Sequence, residues 1–314
     1  MTDIALVFPG QGSQKPGMAK DLVDAFPAAA AVFRAADAAL GVPLSTLCFD
    51  GPAETLMETH NAQPALLTHG VAVWHLLREH LGARVVCAAG HSLGEFTAHV
   101  AAGTFDFETA VTLVRTRGEL MQRAGLARPG AMAAILGDID VRVRELCEQA
   151  SREAGAVVPA NYNSPGQVVV SGEVAGVERL IELATEHGAR KCMRLNVSGA
   201  FHSPLMDAAR PGWDAALAAA TMHNASVPVY ANVTGRQVMA AKQSRRLLSV
   251  QMTSPVRWTE TIRNIVEDHP GVTFIELGPG HVLSGLIRKI APDAVVLPAG
   301  TVAHVEAILS QPGA

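Results

Sequence analysis

Residues 84–102, RVVCAAGHSLGEFTAHVAA, contain the strand, tight turn and helix from which the fold class follows. The mostly apolar segment 84–89 predicts a buried strand, and the glycine-flanked turn 90–94 leads at once into a segment with a helical pattern. The same alternation extends outward, with predicted strands at 4–8 and 272–277 and predicted helices at 18–40 and 64–81. Such alternation favours an α/β fold with a mostly parallel sheet.

The rhythm changes between residues 128 and 197. This region predicts a strand, a helix, two strands, a helix and a strand, at 131–136, 141–154, 156–160, 167–171, 175–187 and 191–197. The order βαββαβ is typical of a ferredoxin-like unit, which forms its own sheet. We therefore expect a small domain, residues 128–197, inserted in a larger α/β domain made of residues 1–127 and 198–314.

Composition and charge exclude several classes of protein. Of the 314 residues, 49% are hydrophobic and 17% are charged, which excludes a mainly disordered chain. The formal net charge of −4 argues against a nucleic-acid partner. The apolar runs are far shorter than the ~20 residues of a membrane span, which argues against a membrane protein. The N-terminal MTDIALVFPGQG lacks the basic start of a secretory signal, so we expect a cytoplasmic protein.

A candidate nucleophile lies in the turn Gly90-His91-Ser92-Leu93-Gly94, which matches the pattern G-x-S-x-G. In that pattern a serine hydroxyl projects from a sharp strand-to-helix turn toward a helix N-terminus. Taken alone, the pattern leaves a nucleophilic serine and a merely structural turn equally open.

A nucleophilic serine needs a base and an oxyanion hole. Among the twelve histidines, His202 stands in the loop SGAFHSP directly after the predicted small domain, where it is either the base or a structural loop residue. Neither Asp138 nor Asp140, which precede it in hydrolase order, has a motif around it, so a backbone carbonyl is an alternative orienting group. The glycine-rich loop 8–14 lacks the features of a phosphate loop. Its N–H groups either complete an oxyanion hole or simply end the first strand.

Among the candidate functional residues, Arg117 is the one that helical periodicity marks most clearly. In the predicted helix 108–124, the polar residues gather on one side and the apolar residues on the other, and Arg117 falls in the middle of the apolar face. A buried guanidinium without an anion is strongly unfavourable. We therefore expect an anionic partner, which is either a protein carboxylate or the carboxylate of a ligand held through two hydrogen bonds.

Seven segments together resemble the malonyl-CoA:acyl carrier protein transacylase family. They are FPGQGSQ (8–14), NAQPAL (61–66), GHSLGE (90–95), RTRGELM (115–121), NYNSPGQVVVSG (161–172), GAFHSPLM (199–206) and LGPGHVLSGL (277–286). Each segment alone is weak evidence for the family, but the order and spacing of all seven follow the family from the first strand to about residue 290. The resemblance implies an α/β-hydrolase-like large domain with an inserted ferredoxin-like small domain.

The resemblance also implies roles for individual residues. Ser92 is implied as the nucleophile that carries malonyl as an ester, His202 as its base, and the backbone carbonyl of Gln251 as the group that orients the histidine. The N–H groups of Gln11 and Leu93 are implied as the oxyanion hole. The residues implied to contact the acyl group are Arg117 as the clamp on the malonyl carboxylate, Phe201 as the selector against larger acyl groups, and Gln63 and Asn163 as pocket residues.

The implied reaction moves malonyl from malonyl-CoA to the phosphopantetheine thiol of acyl carrier protein, for fatty acid synthesis. It needs no metal and no redox cofactor, and the scattered cysteines, Cys48, Cys87, Cys147 and Cys192, likewise argue against a metal centre or a disulfide framework. Arg288 and Lys289 are expected to dock the acidic carrier protein; the alternative is two solvated charges on a helix.

Four other functions stay open at this stage. A discrete acyltransferase of a polyketide synthase and the malonyl-transfer subunit of a malonate decarboxylase share the chemistry. A serine hydrolase or thioesterase shares the serine and the histidine but has no need of an arginine on an apolar helix face. A non-enzymatic binder of carrier protein would form no acyl-serine.

Overall fold

The computed structural model describes residues 2–311, without the side chains of Asp140 and Val141. In this range the strands are β1 (Ile4–Phe8), β2 (Val85–Gly90), β3 (Ala131–Leu136), β4 (Val157–Ser164), β5 (Gln167–Gly172), β6 (Lys191–Arg194), β7 (Val229–Tyr230), β8 (Gln237–Val238), β9 (Thr273–Leu277) and β10 (Val295–Ala299). The α-helices are α1 (Lys20–Ala25), α2 (Pro27–Leu40), α3 (Leu44–Asp50), α4 (Ala53–Met57), α5 (Thr59–Leu81), α6 (Gly94–Ala101), α7 (Phe107–Ala127), α8 (Asp140–Glu153), α9 (Val174–Glu186), α10 (Arg210–Ala219), α11 (Ala241–Gln251), α12 (Trp258–Asp268), α13 (Val282–Ile290) and α14 (Val302–Leu309).

The larger sheet has the strand order β10-β9-β1-β2-β7-β8. Its neighbouring strands are parallel except β7 and β8, which confirms the expectation of a mostly parallel α/β sheet. The carboxyl ends of β1, β2 and β9 lie side by side at one edge of this sheet. The loops that follow these three strands therefore meet there, as ligand-binding loops do in open α/β sheets.

Both faces of the larger sheet are covered, which explains why β1 is apolar at every position. Ile4, Leu6 and Phe8 belong to one core, which also contains residues of α2, α5 and α7. Ala5 and Val7 belong to a second core with residues of α12 and α13. Side chains alternate between the two faces of a strand, so a sheet buried on both sides requires a continuous apolar run.

A second sheet is formed by β3 to β6. Its strands are antiparallel in the order β4-β5-β3-β6, and α8 and α9 share its hydrophobic core. Residues of its opposite face, including Met132 and Val169, face the cleft described below. The connection to the rest of the chain includes backbone hydrogen bonds of Val256 with Ala160 and Tyr162.

Several predicted boundaries were wrong. The helix expected over 18–40 is broken at Phe26, which is extended (φ −125°, ψ 110°) because Pro27 disfavours a helical residue before it. The helix expected from 64 begins at Thr59, with Pro64 inside it. The carbonyl of His60, which Pro64 cannot bond, accepts a hydrogen bond from Arg115 Nη1 at 3.3 Å. The strand expected to reach residue 197 ends at Arg194, whereas β4 continues to Ser164.

The four cysteines are free thiols, of which Cys48, Cys87 and Cys147 are buried. Burial raises the pKa of these three thiols to about 12. Among the side chains that the structure describes, no group of three or more His, Cys, Asp or Glu residues is placed to hold a metal ion. None of the helices within residues 2–311 has both the length and the apolar character needed to cross a membrane.

Candidate active site

Ser92 occupies the turn between β2 and α6 with a left-handed backbone (φ 51°). The flanking glycines make this turn possible, because a Cβ on Gly90 would lie 1.9 Å from the backbone of Gly94, and one on Gly94 would lie 2.0 Å from Phe8 O. The amide of Ser92 donates to Asn232 Oδ1 at 2.7 Å. A strained non-glycine residue held in this way is typical of functional sites.

The hydroxyl of Ser92 lies 2.8 Å from His202 Nε2. On the other side of the imidazole ring, Nδ1 lies 3.0 Å from both Gln251 O and Ser254 O. Carbonyl oxygens only accept, so Nδ1 carries the proton and Nε2 presents its lone pair to the serine hydroxyl. The arrangement is a serine–histidine pair oriented by two backbone carbonyls, without a carboxylate.

His202 is buried and neutral. Burial lowers its pKa to about 3, and the positive charge of Arg117 acts in the same direction. The neutral ring is the form able to take a proton from the serine.

Arg117 lies on α7 and is 1% exposed. Its Nη1 donates to Gln63 Oε1 at 2.7 Å and its Nη2 to Gln251 Oε1 at 2.9 Å, while Nη2 also lies 3.3 Å from Ser92 Oγ. Among the described side chains no carboxylate contacts this guanidinium. The protein carboxylate that the sequence left open as a direct partner is therefore replaced by two neutral amides. The guanidinium also lies 5.4 Å above the ring of Phe96.

A buried carboxylate, Glu95, lies behind this arrangement. Its Oε2 accepts from Gln251 Nε2 at 2.7 Å and from the amide of Asn232 at 3.1 Å. Burial raises the pKa of Glu95 to about 7, opposed by those hydrogen bonds and by the charge of Arg117.

A cleft of about 310 Å³ opens in front of the Ser92–His202 pair. Its wall includes Phe201 and Asn163, and Asn163 Oδ1 lies 2.8 Å from Nε2 of His91, so the second sheet contacts the turn that carries the serine. Gln11 and Leu93 also line the cleft, and their amides donate to no acceptor within residues 2–311.

The remaining predicted residues lie outside the cleft. Gln63 is buried behind Arg117, where it orients the guanidinium. Arg288 and Lys289 are exposed in the last turn of α13. The first half of that helix does line the cleft, and Glu276 holds its start by accepting from the amides of Leu283 and Ser284 at 3.0 and 2.7 Å.

Glu95, Asn232 and Ser254 are site residues that the sequence did not assign. A sequence signal does mark Glu95, because it is the single carboxylate in the short helix α6, whose other residues apart from His99 are apolar or small. Asn232 and Ser254 lie in loops and act through long-range contacts, so no periodic pattern marks them.

Sequence comparisons with known proteins identify a family for this chain. The family model described as "Acyl transferase domain" matches residues 5–298. A malonyl CoA-acyl carrier protein transacylase of Bacillus subtilis (strain 168) is 46% identical over 291 residues, which cover 92% of this chain and 91% of the relative.

Solved structures of similar proteins have the same overall fold. The malonyl-CoA:acyl carrier protein transacylase from Xanthomonas oryzae pv. oryzae is 41% identical, with a TM-score of 0.95 over 100% of this chain and 99% of that one. A malonyl-transacylase in complex with a type II polyketide synthase acyl-carrier protein is 38% identical, with a TM-score of 0.93 over 98% and 99% of the two chains. By sequence and by fold, this chain belongs to the acyl transferase family and, within it, to the malonyl-CoA:acyl carrier protein transacylases.

Proposed function

We propose that this chain transfers a malonyl group from malonyl-CoA to the phosphopantetheine thiol of acyl carrier protein, through a malonyl ester on Ser92. The observation that carries this proposal is the buried guanidinium of Arg117, which lies 3.3 Å from the serine hydroxyl and, among the described residues, has no carboxylate in contact. Such a group favours an acyl chain that ends in a carboxylate over one that does not. The named activity of the relatives supports the same substrate.

In the first half-reaction, Ser92 Oγ attacks the thioester carbonyl while His202 Nε2 takes its proton. The negative charge that develops on the carbonyl oxygen is stabilised by the free amides of Gln11 and Leu93. The carbon–sulfur bond then breaks, and coenzyme A leaves with the proton from His202.

The second half-reaction repeats these steps with the thiol of the carrier protein as nucleophile. His202 takes the thiol proton, sulfur attacks the ester carbonyl, and Ser92 Oγ leaves with that proton. During both steps Arg117 holds the malonyl carboxylate, and Phe201 limits the space beside the acyl group.

The acyl carboxylate also affects the base. The charge of Arg117 contributes to the low pKa of His202. A malonyl carboxylate on Arg117 offsets that charge, so the histidine becomes a stronger base when the correct acyl group is bound. An acetyl group gives no such effect.

We propose a two-domain fold as well. The order β6-β3-β5-β4 with two helices packed against the sheet supports a ferredoxin-like small domain, residues 128–197. The turn at Ser92 supports an α/β-hydrolase-like large domain, residues 1–127 and 198–314. Because every step is a proton or acyl transfer, we propose that no metal or redox cofactor takes part.

A polyketide pathway is the second candidate context. It is favoured by the similar malonyl-transacylase solved with a type II polyketide synthase acyl-carrier protein. Transfer rates to carrier proteins of the two pathways, measured side by side, would separate this context from fatty acid synthesis.

Intact-mass analysis after incubation with malonyl-CoA tests the central step. We expect a gain of one malonyl group, located on Ser92 by peptide mapping and absent in Ser92→Ala. His202→Ala should slow labelling by several orders of magnitude. Label on another residue contradicts the mechanism, and release of free malonate as fast as transfer would indicate a hydrolase.

A further inference from the structure

Within residues 2–311, Glu95 is the carboxylate that a hydrogen-bond chain connects to Arg117. The side-chain amide of Gln251 makes the connection, because its Nε2 donates to Glu95 Oε2 at 2.7 Å and its Oε1 accepts from Arg117 Nη2 at 2.9 Å. The same Nε2 donates to Ser92 O at 3.0 Å. Two acceptors on one side and a donor on the other fix the amide in this orientation.

The two buried charges are bridged by this amide and do not contact each other directly. The charge of each stabilises the charged form of the other, although burial opposes both. Each group also keeps one buried polar atom, Nε of Arg117 and Oε1 of Glu95, for which the described part of the chain offers no hydrogen-bond partner. The positive charge beside Ser92 is therefore only partly offset and can still attract an anion.

We infer that Glu95 is a specificity-determining residue, the internal counter-charge of Arg117, and that its charge sets how strongly the site attracts an acyl carboxylate. It makes no side-chain contact with Ser92 Oγ or His202, so it acts through Gln251 as a positioning residue. The inference rests on the proposed function, because it assumes that the acyl group bound at Arg117 carries a carboxylate.

The variant Glu95→Gln separates charge from hydrogen bonding. Its amide oxygen can accept from Gln251 Nε2 and the amide of Asn232, as Oε2 does now. Its amide nitrogen replaces Oε1, which has no partner to lose. Glu108→Gln is the matched control, because it removes the same charge at the exposed start of α7, the helix that carries Arg117.

The readout is the malonyl-CoA concentration that gives half the maximal rate of Ser92 labelling, measured at about pH 8.5 and about pH 6. At the higher pH, Glu95→Gln should lower this concentration about tenfold, on the order expected when a unit charge is removed from a partly screened site. Glu108→Gln should leave it unchanged. At the lower pH the wild type should approach Glu95→Gln, because burial raises the pKa of Glu95 to about 7 and the carboxyl is then mostly protonated.

The other titratable groups around this cluster are Arg117, four buried histidines and Tyr230. Arg117 stays charged, with a pKa lowered by burial only to about 10. The pKa is lowered by burial in His69 on α5, His91 in the turn, His99 on α6 and His202, and is raised by burial in Tyr230 on β7.

Equal half-saturation of Glu95→Gln and wild type at the higher pH overturns the inference, and so does a higher value in the variant. If the variant does not fold, the pH dependence of the wild type still tests the inference. The half-saturating malonyl-CoA concentration must rise from the lower to the higher pH, and a value that does not change with pH refutes the role of Glu95. Failure of the proposed function is distinct, because the wild type would then carry no malonyl on Ser92 at all.

Discussion

Replacing Arg117 by alanine should change which acyl group this protein transfers. The guanidinium is fully buried, and its Nη2 atom already lies 3.3 Å from the serine hydroxyl. A malonyl carboxylate bound there forms a buried pair, and breaking such a pair by removing one partner costs about 3–5 kcal/mol. At ~1.4 kcal/mol per factor of ten, malonyl transfer should fall by about two to four orders of magnitude.

Acetyl transfer should respond differently. An acetyl group leaves the wild-type guanidinium desolvated without an anion, and the alanine variant removes that penalty. The acetyl rate should therefore fall by less than about tenfold, or rise, so that the malonyl-to-acetyl ratio of kcat/KM drops by about tenfold or more. The variant also leaves the side-chain oxygens of Gln63 and Gln251 without their donor, so its melting temperature must be measured in parallel.

The assay is the rate of acyl-serine formation from malonyl-CoA and from acetyl-CoA, followed by intact mass. Arg123→Ala is the control, because its side chain lies on the same helix but is 72% exposed. A parallel loss of both activities in Arg117→Ala, with an unchanged ratio, would refute the reasoning. Arg117 would then serve only to hold α7 against Gln63 and Gln251.

Three further predictions concern stability and docking. His69→Gln should make unfolding less sensitive to acid. Burial lowers the pKa of His69 in the folded protein to about 4, so about 2 kcal/mol of the free energy of unfolding is lost as the pH falls from above the ordinary pKa of 6.5 to about pH 5. Urea titrations at about pH 7 and pH 5 check this. Glu276→Ala should lower the melting temperature and raise half-saturation by malonyl-CoA, because two buried amides at the start of α13 lose their acceptor; an unaltered half-saturation would contradict this. Charge reversal of Arg288 and Lys289 should raise the KM for carrier protein at low salt while leaving Ser92 labelling intact; equal damage to both half-reactions would indicate a folding defect instead.

Local patterns in the sequence were sufficient to predict much of the structure of this molecule. The apolar strand before GHSLG and the helix after it predicted the turn at Ser92, because a sharp strand-to-helix turn requires glycine at fixed positions. Helical periodicity placed Arg117 on an apolar face, because a helix repeats every 3.6 residues whatever surrounds it. The order of strands and helices likewise predicted two sheets. The break before Pro27 also has a local cause, because a proline disfavours a helical residue before it.

Partners far apart in the chain were decided only by the tertiary structure. Periodicity shows that Arg117 is buried but not what it meets, and its partners Gln63 and Gln251 lie 54 and 134 residues away. The sequence predicted an anionic partner for it. The fold instead supplies two amides, and one of them, Gln251, also forms a hydrogen bond with Glu95. A hydrogen bond depends on atoms brought within about 3 Å by packing, and packing is a property of the whole chain. Local sequence therefore determines which groups are buried, and the tertiary fold determines what satisfies them.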